Sequence, residues 1–473
     1  MAEPDVAQPD VAEPDVAEPD VAQPDVVVVG MGPGGEELAG RLAAAGLDVV
    51  AVEARLVGGE CPYFACLPTK MMLRAAGVLA EARRVPQLAG TSEVHPDWAP
   101  VADRIRDEAT SSWDDTSAAQ RFEAAGGRLL RGTARLTAPG EVAVGEQVLL
   151  RPRLGIALNP GTEPAVPPVD GLPTTPYWTN RDAVTTREVP QSLLVLGGGP
   201  VGAEFAQVFA RFGSAVTIVE GGPHLLPRTE PEAAEPLQQA FARDGIDVRT
   251  GSHANAVTHD GTRFTAQLDS GTEHTAEKLL VATGRSTDLA GLGVAAVGLD
   301  DTAGTLPVDG RMRAADRLWA VGDVTGHGGF THTSVHQARI AADDILGHAG
   351  EPADYRAMPA VTYTDPEVAA VGRTEQQARD EGRDVRTSTV AIPDTARGWI
   401  HRAGNDGAVK LVADARRGVL VGASVTAPAG GEMLSGLAVA VHAEVPVARL
   451  RSMIHAFPSF HRAFEPALQA LHV

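Results

Sequence analysis

The sequence predicts an α/β protein that contains two βαβ units and ends in a region of mixed helices and strands. An apolar run, a glycine-rich turn, a helical pattern and a second apolar run follow one another over residues 26–53, and the same order returns over residues 193–220. From residue 351 onward, strand-like segments precede a helical pattern at residues 432–441. The 473 residues allow about three domains, each able to bury a core.

The composition excludes several classes of protein and of site. A net charge of -21 argues against nucleic acid or an anionic membrane as a partner. The two cysteines, Cys61 and Cys66, are too few for a disulfide-stapled scaffold or a four-cysteine zinc site, and we expect no metal site. Because no run of about 18 apolar residues occurs, we expect a soluble, cytoplasmic protein without membrane contact.

The first 25 residues repeat a five-residue unit, [Glu/Gln]-Pro-Asp-Val-Ala, and contain no Lys or Arg. A proline at every fifth position blocks helix propagation, and one valine per unit buries too little to offset the entropy of ordering. We therefore predict a disordered, acidic, solubilising tail over residues 1–25. The segment lacks the basic start and apolar centre of a signal peptide.

The first unit has the pattern Gly30-x-Gly32-x-x-Gly35 between a valine run and a helical segment. Gly30 permits a tight turn, Gly32 lets the backbone approach a pyrophosphate, and Gly35 allows close packing of helix on strand. Glu53 ends the second apolar run, where it is placed to accept hydrogen bonds from an adenosine ribose. These features predict a Rossmann-like dinucleotide-binding unit.

The second unit repeats this pattern as Gly197-x-Gly199-x-x-Gly202, and Glu220 ends its second apolar run. The Glu220 carboxylate would repel the 2′-phosphate of NADP and suits the free ribose hydroxyls of NAD. The sequence therefore predicts two dinucleotides in one chain, with NAD favoured over NADP at the second unit.

The cysteines lie between the first unit and a helical segment. Residues five apart on a regular helix are rotated by about 140° and separated by a rise of about 7.5 Å, which is too far for a disulfide. A Cys61–Cys66 bond therefore needs a loop or a distorted helical turn, which Gly59 and Pro62 can supply. A thiol near a helix N-terminus and Lys70 has a stabilised thiolate.

With this Cys-x4-Cys pair, the chain resembles the pyridine nucleotide–disulfide oxidoreductases, a family that includes dihydrolipoyl dehydrogenase, glutathione and mycothione reductases and mercuric reductase. The resemblance covers nearly all residues after the tail. Beyond the glycine loops and the cysteines, it rests on Ala-Thr-Gly-Arg at 282–285, Ala-Val-Gly-Asp at 320–323 and Tyr-Thr-Asp-Pro-Glu-Val-Ala-Ala-Val-Gly at 363–372.

The resemblance implies a domain plan and a redox function. It implies two Rossmann-like domains, for FAD and for NAD, and an α+β dimerisation domain that makes the protein a homodimer. The implied ranges are 26–160 and 286–350 for the split FAD domain, 161–285 for the NAD(P) domain and 351–473 for the interface domain. Electrons would pass between NAD(H), FAD and the dithiol, and then to a small-molecule acceptor or from a dithiol substrate.

The resemblance also implies roles for single residues. Cys66 would be the thiol nearest the flavin and Cys61 the thiol that meets substrate. Lys70 would lie beside the flavin and pair with Glu204, which steadies the charge of the reduced flavin. Four further residues would bind the cofactors: Gly59, Gly284, Asp323 and His332.

The chain departs from the family at a segment near its C-terminus. Disulfide-specific members have His-Pro-x-x-x-Glu there, in which the histidine moves protons for the substrate-facing thiol and the glutamate orients it. Alignment of the prolines places Phe457 at the histidine and Arg462 at the glutamate. A phenyl ring cannot move protons, so ordinary disulfide or dihydrolipoamide chemistry is in question.

Three alternatives remain open for this departure. His455 or His461 could replace the missing histidine by a local shift. The acceptor could be a metal ion, as in mercuric reductase, but that enzyme relies on a second, C-terminal cysteine pair, and Cys61 and Cys66 are the only cysteines here. It could also be a quinone or small electrophile. The chain could also be a redox-sensing flavoprotein without disulfide turnover. A second departure is Asn159-Pro160-Gly161-Thr162, where the family has a first Ala-Thr-Gly loop, and we expect it to reshape the crossing beside FAD.

Overall fold

The computed structural model describes residues 20–473, so the repeat up to residue 19 lies outside the described residues. The predicted disorder of the whole 1–25 segment is wrong at its C-terminal end, because Asp20–Ala22 forms a strand parallel to Val148–Leu150. The last repeats reach the open edge of a small sheet, where backbone pairing and the packing of Ala22 replace the missing apolar content. The α/β class is confirmed.

The first sheet has six strands and is buried on both faces. In spatial order its strands are Arg313–Ala315, Leu318–Ala320, Gly155–Leu158, Val26–Val29, Val49–Glu53 and Arg128–Arg131. Val26 and Val28 point to a core shared with three helices, whereas Val27 and Val29 point to a core shared with a small sheet. That small sheet contains Asp20–Ala22, Val148–Leu150, Glu141–Val144 and Ala134–Ala138.

The second sheet is parallel throughout, and the chain forms it before returning to the first sheet. Its strands are Asp247–Arg249, Ala215–Val219, Ser192–Leu196 and Lys278–Val281. A three-stranded antiparallel sheet shares a core with one face and consists of Ala254–His259, Phe264–Leu268 and Glu273–Ala276. Glu163–Pro164 pairs with Arg285–Ser286 where the chain enters and leaves this part of the fold.

The third sheet is antiparallel and belongs to the C-terminal part of the chain. Its strands are Pro359–Thr362, Glu367–Gly372, Val419–Ala427, Ala408–Asp414 and Val385–Ala391. Met433, Leu437 and Phe464 from two helices share a buried core with this sheet. The observed mixture of strands and helices matches the α+β region predicted from the sequence.

Helices cover the sheets and connect them. The α-helices are, in chain order, Pro33–Ala44, Glu60–Tyr63, Cys66–Leu88, Ala99–Arg104, Thr116–Ala124, Asn180–Thr185, Pro200–Arg211, Pro231–Arg243, Leu289–Leu292, Thr331–Ile345, Glu375–Asp380, Ala396–His401, Gly430–His442, Val447–Arg451 and Phe464–Ala470. The long helix Cys66–Leu88 packs along Pro200–Arg211, so it connects the first glycine unit to the second. Among residues 20–473, no helix combines the length and the apolar character needed to cross a membrane.

Lys410 joins the second and third sheet regions. Its side chain is 4% exposed, and its Nζ lies 3.0 Å from Glu230, 2.8 Å from Glu232 and 2.9 Å from Glu375. Burial alone would lower the pKa of Lys410, but hydrogen bonds to the three carboxylates raise it above its ordinary value. Glu230 and Glu232 therefore compensate the buried charge only when the two regions are docked, whereas Glu375 belongs to the same region as Lys410.

We expect Lys410→Met to lower the free energy of unfolding by about 3–5 kcal/mol, because it leaves the buried Glu230 carboxylate without its cation. Urea-induced unfolding at neutral pH measures the change. Lys278→Met is the matched control, since Lys278 lies 5.6 Å from the Trp178 ring centroid and has no carboxylate partner among the described residues. The control should lose less than about 1 kcal/mol, and equal losses in both variants would contradict the role of Lys410.

Candidate redox and dinucleotide-binding site

The first glycine loop has the geometry of a pyrophosphate cradle. Gly30 has φ +90°, and a Cβ there would lie 2.1 Å from the carbonyl oxygen of Asn159. A Cβ at Gly35 would lie 2.0 Å from the carbonyl oxygen of Gly30, so helix and strand are in direct backbone contact. Gly32, the residue before the helix Pro33–Ala44, has no side chain that could cap it. The positive end of the helix dipole favours an anion at this N-terminus, so the loop fits a dinucleotide.

Glu53 is brought to this loop, as predicted, but with a contact that the sequence did not indicate. The carboxylate is largely buried and accepts the backbone N–H groups of Met31 and Arg55, each at 2.7 Å. The two oxygens of a carboxylate offer about four hydrogen-bond acceptor sites. Glu53 therefore fixes the loop and retains acceptor capacity for ribose hydroxyls.

The second glycine loop repeats the first. Gly197 has φ +104°, and a Cβ there would lie 2.4 Å from the carbonyl oxygen of Ala282. A Cβ at Gly202 would lie 2.0 Å from the carbonyl oxygen of Gly197. Gly199 has open space where its Cβ would be, with no heavy atom within 4 Å. The predicted close approach of a ligand to this glycine is therefore sterically open.

Glu220 lies beside this loop in the same way as Glu53 lies beside the first. Its buried carboxylate accepts the N–H of Gly198 through one oxygen and the N–H of Gly222 through the other, each at 2.6 Å. These bonds hold a negative charge at the end of the second strand, where a nucleotide ribose would bind.

The redox cysteines lie on either side of a break between two helices. Cys61 belongs to the short helix Glu60–Tyr63, and Cys66 begins the helix Cys66–Leu88. Phe64 and Ala65 between them have φ values of -136° and -134°, outside the helical range. The break brings the two free thiols into hydrogen-bond contact, as the distorted turn expected from the sequence requires.

The surroundings distinguish the two thiols. A hydrogen bond from Cys61 lowers the pKa of Cys66 from 9.0 to about 6, against the opposing effect of burial. The Thr331 hydroxyl, 3.6 Å from the Cys66 sulfur, and the charge of Lys70 add to this lowering. The same hydrogen bond, together with burial, raises the pKa of Cys61 far above its ordinary value. Cys66 is therefore the thiolate and Cys61 the protonated partner.

Lys70 and Glu204 are brought together as predicted. The Lys70 Nζ lies 2.7 Å from one carboxylate oxygen of Glu204, whose side chain is 8% exposed. The other oxygen accepts the backbone N–H of Tyr363 at 2.8 Å, and Lys70 lies 5.0 Å from the Tyr363 ring centroid. Three separate parts of the chain thus hold the ammonium one helical turn after Cys66.

The remaining predicted cofactor residues lie around the first glycine loop and the thiols. Gly59 has φ +65°, and a Cβ there would lie 2.9 Å from Cα of Gly32. Gly284 has φ +146° and open space at its Cβ position. The Asp323 carboxylate accepts the Thr162 hydroxyl at 2.7 Å.

His332 is the last of the predicted cofactor residues, and the prediction concerns its backbone near the flavin rather than its side chain. The side chain is exposed, and Nε2 lies 2.9 Å from the carbonyl oxygen of Pro359. The backbone of His332 follows Thr331, whose hydroxyl contacts Cys66. It is therefore the first turn of the helix Thr331–Ile345 that lies near the thiols.

Asn159 has a structural role that sequence reasoning missed. Its buried amide accepts the N–H of Gly35 at 2.9 Å and donates to the carbonyl oxygen of Val321 at 2.9 Å. The loop Asn159–Thr162, which differs in sequence from that of the family, therefore joins the first glycine loop to the segment before Asp323. The sequence feature that could have indicated this role is a polar residue directly after the buried strand Gly155–Leu158.

The C-terminal departure is visible as an exposed aromatic ring. Phe457 is 67% exposed, and the Arg462 guanidinium lies 4.9 Å from its ring centroid. His455 and His461 instead line a cavity of about 290 Å³ in the third-sheet region, and neither cysteine lines it. His455 Nε2 is buried there without a hydrogen-bond partner among the described residues. The family histidine acts across the dimer, so the replacement of this residue by His455 or His461 stays a prediction.

Comparison with known proteins agrees with this geometry. The model of the family Pyridine nucleotide-disulphide oxidoreductase matches residues 24–341, and the model of its dimerisation domain matches residues 358–468. Dihydrolipoyl dehydrogenase of Thermus scotoductus is 34% identical over 94% of this chain and 97% of its own. Mercuric reductase of Streptomyces lividans is 33% identical over 93% of this chain and 95% of its own.

A solved structure is similar across almost the whole chain. The HOCl-induced flavoprotein disulfide reductase RclA from Escherichia coli superposes with a TM-score of 0.82 at 27% identity and covers 94% of this chain and 99% of its own. Its Cu(II) complex superposes equally well. Members of this family are oxidoreductases that use FAD and NAD(P)H. The chain therefore belongs to the pyridine nucleotide–disulfide oxidoreductase family.

Proposed function

We propose that the protein transfers electrons from NADH to a small acceptor through the Cys61–Cys66 dithiol. The observation that carries this proposal is the thiol pair at the helix break, with its thiolate on Cys66 and Lys70 one turn further along the helix. Bound FAD would supply the two-electron chemistry that connects NADH with the thiols. The proposed domain ranges are 26–160 and 286–350 for FAD, 161–285 for NAD and 351–473 for the interface.

Each residue of the pair has its own task. The Lys70 charge and the Thr331 hydroxyl favour the anionic form of Cys66, which holds this thiol ready to close the disulfide. Cys61 keeps its proton at neutral pH and must lose it before its sulfur attacks an acceptor. Glu204 fixes the Lys70 ammonium, so the charge remains near Cys66.

The proton on Cys61 determines which acceptors suit this site. Reduction of a disulfide needs a base for Cys61 and an acid for the departing thiolate, and the position of the family histidine holds Phe457. A soft metal cation needs neither, because a thiol that binds it as a thiolate releases its proton to water. This favours a metal ion as acceptor, and relatives named mercuric reductase and a Cu(II) complex of RclA belong to the same family. A quinone or small electrophile is the alternative.

We further propose that NAD(H) is preferred and that two chains associate. The negative charge of Glu220 beside the second glycine loop disfavours the additional phosphate of NADP. The dimerisation-domain match covers residues 358–468, which include seven exposed large apolar side chains; the most exposed are Trp399, Ile454 and Phe457, at 77%, 98% and 67%. Contact between two such surfaces would bury them.

The reactivity of Cys66 should depend on pH as its environment dictates. In the reduced enzyme, alkylation of Cys66 by iodoacetamide should rise through a midpoint near pH 6, because the thiolate fraction grows as pH rises through its lowered pKa. Lys70→Met should move the midpoint to higher pH, since it removes a stabilising charge. Peptide mass spectrometry measures both profiles, and a midpoint near 9.0 in the parent would show that Cys66 is an ordinary thiol.

The dithiol should also have an optical signature. Anaerobic titration of the FAD-loaded protein with NADH should produce a long-wavelength charge-transfer band from the Cys66 thiolate next to the flavin. Cys66→Ser should abolish the band and Cys61→Ser should retain it, because only Cys66 carries the thiolate. An unchanged band in Cys66→Ser would exclude the assignment of this thiol, and absence of a band in the parent would favour a flavoprotein without dithiol turnover.

Turnover of lipoamide and of glutathione disulfide should be very low in the parent. Combined Phe457→His and Arg462→Glu substitution should raise it by roughly 100-fold or more, the usual contribution of general acid–base catalysis. Steady-state assays with NADH and each disulfide provide the comparison, with Cu(II) and Hg(II) salts and a quinone as parallel acceptors. Arg462→Glu alone is the control and should gain little. Parent rates equal to those of a histidine-containing relative would refute the inference from Phe457.

A further inference from the structure

Residues 111–113 have an unusual backbone next to the cysteine turn. Ser111, Ser112 and Trp113 have φ values of +48°, +60° and +59°, and the π-helical turn Ile105–Ala109 lies just before them. The left-handed region is unfavourable for residues that carry a Cβ. Three such residues in succession persist only where their surroundings hold them, and such clusters are typical of functional positions.

The side chain of Trp113 contacts the turn between the two cysteines. Its indole N–H donates a hydrogen bond to the carbonyl oxygen of Tyr63 at 3.2 Å. Its ring is stacked with Phe64, at 6.4 Å between centroids and an interplanar angle of 23°. Tyr63 and Phe64 are two of the four residues between Cys61 and Cys66. Trp113 therefore contacts the part of the chain whose conformation determines the distance between the thiols.

A second segment holds the same turn from another part of the fold. The buried Asn180 amide donates to the carbonyl oxygen of Phe64 at 2.9 Å and to the Glu60 carboxylate at 3.0 Å. The Arg181 guanidinium donates to the other oxygen of that carboxylate at 2.7 Å. The backbone carbonyls of Tyr63 and Phe64 are thus held by side chains that lie 50 and 116 positions away in the sequence.

We propose that Trp113 and Asn180 are positioning residues that hold the turn in its dithiol form and thereby set the equilibrium between the dithiol and the disulfide. The contacts exist in a structure with both thiols free. Closing the disulfide joins the two free sulfurs by a covalent bond, and the turn must move with them. Contacts that hold the turn in place oppose this movement. The inference rests on the proposed function in one respect, namely that Cys61 and Cys66 form a disulfide.

The experiment is a thiol–disulfide titration of the FAD-loaded full chain in anaerobic dithiothreitol buffers. The two protein thiols lose two electrons and two protons and form one disulfide, while oxidised dithiothreitol takes up both and becomes a dithiol. Acid quenching, alkylation and mass spectrometry then give the ratio of the two protein forms. This readout needs neither NADH nor an acceptor.

Trp113→Phe keeps an aromatic ring against Phe64 and removes the hydrogen bond to Tyr63. We expect it to shift the equilibrium about threefold to tenfold toward the disulfide, and tenfold corresponds to about 30 mV. Asn180→Ala should shift it in the same direction, and it tests the proposal independently if Trp113→Phe does not fold. Trp98→Phe is the matched control, because Trp98 also donates its indole N–H to a backbone carbonyl, that of Thr186 at 3.0 Å, away from the turn.

The outcomes separate this inference from the proposed function. If the parent forms no Cys61–Cys66 disulfide in any buffer, the proposed function fails. If the parent titrates normally but Trp113→Phe and Asn180→Ala both match Trp98→Phe, the positioning role is overturned. A shift in both variants that is absent from Trp98→Phe supports the role, because general loss of stability would affect all three.

Discussion

The ion pair between Lys70 and Glu204 is the interaction on which the arrangement of the site depends. Glu204 is buried, and its two oxygens take a cation from the redox helix and an N–H group from Tyr363 near the third sheet. A buried carboxylate that loses its cation is strongly destabilising, so the three parts of the chain are held to one docking geometry. That geometry places the Cys66 end of one helix against the helix of the second glycine loop.

The division of labour between the thiols follows from this docking. Both cysteines are half-buried, and burial alone would raise the pKa of each. Cys66 differs because the hydrogen bond from Cys61 and the Lys70 charge lower its pKa, whereas the Thr331 hydroxyl lowers the pKa of both thiols. The fold therefore gives two identical side chains different protonation preferences: Cys66 favours the thiolate and Cys61 favours the thiol.

Local patterns predicted the parts of the site that local geometry determines. Each glycine loop could be predicted because a turn without room for a Cβ leaves few residue choices, as Gly30 and Gly197 show. Partners distant in the sequence could be predicted only where the family resemblance supplied them, as for Lys70 and Glu204. Asn159 joins the first glycine loop to the segment before Asp323, and Trp113 reaches the cysteine turn, although neither belongs to a recognisable motif. Their roles depend on the approach of segments that only the complete fold brings together.

The exposed Phe457 links the static structure to the choice of acceptor. A site that keeps its proton on Cys61 can reduce a disulfide only if another group removes that proton and returns one to the departing sulfur. Phe457 does neither, and the Arg462 charge stacked on it is paired with Glu465 at 3.1 Å, so no free carboxylate replaces the orienting glutamate there. Displacement of the Cys61 proton by a soft cation needs only water as the proton acceptor. Binding of such a cation by Cys61 therefore needs no acid–base group at the position of Phe457.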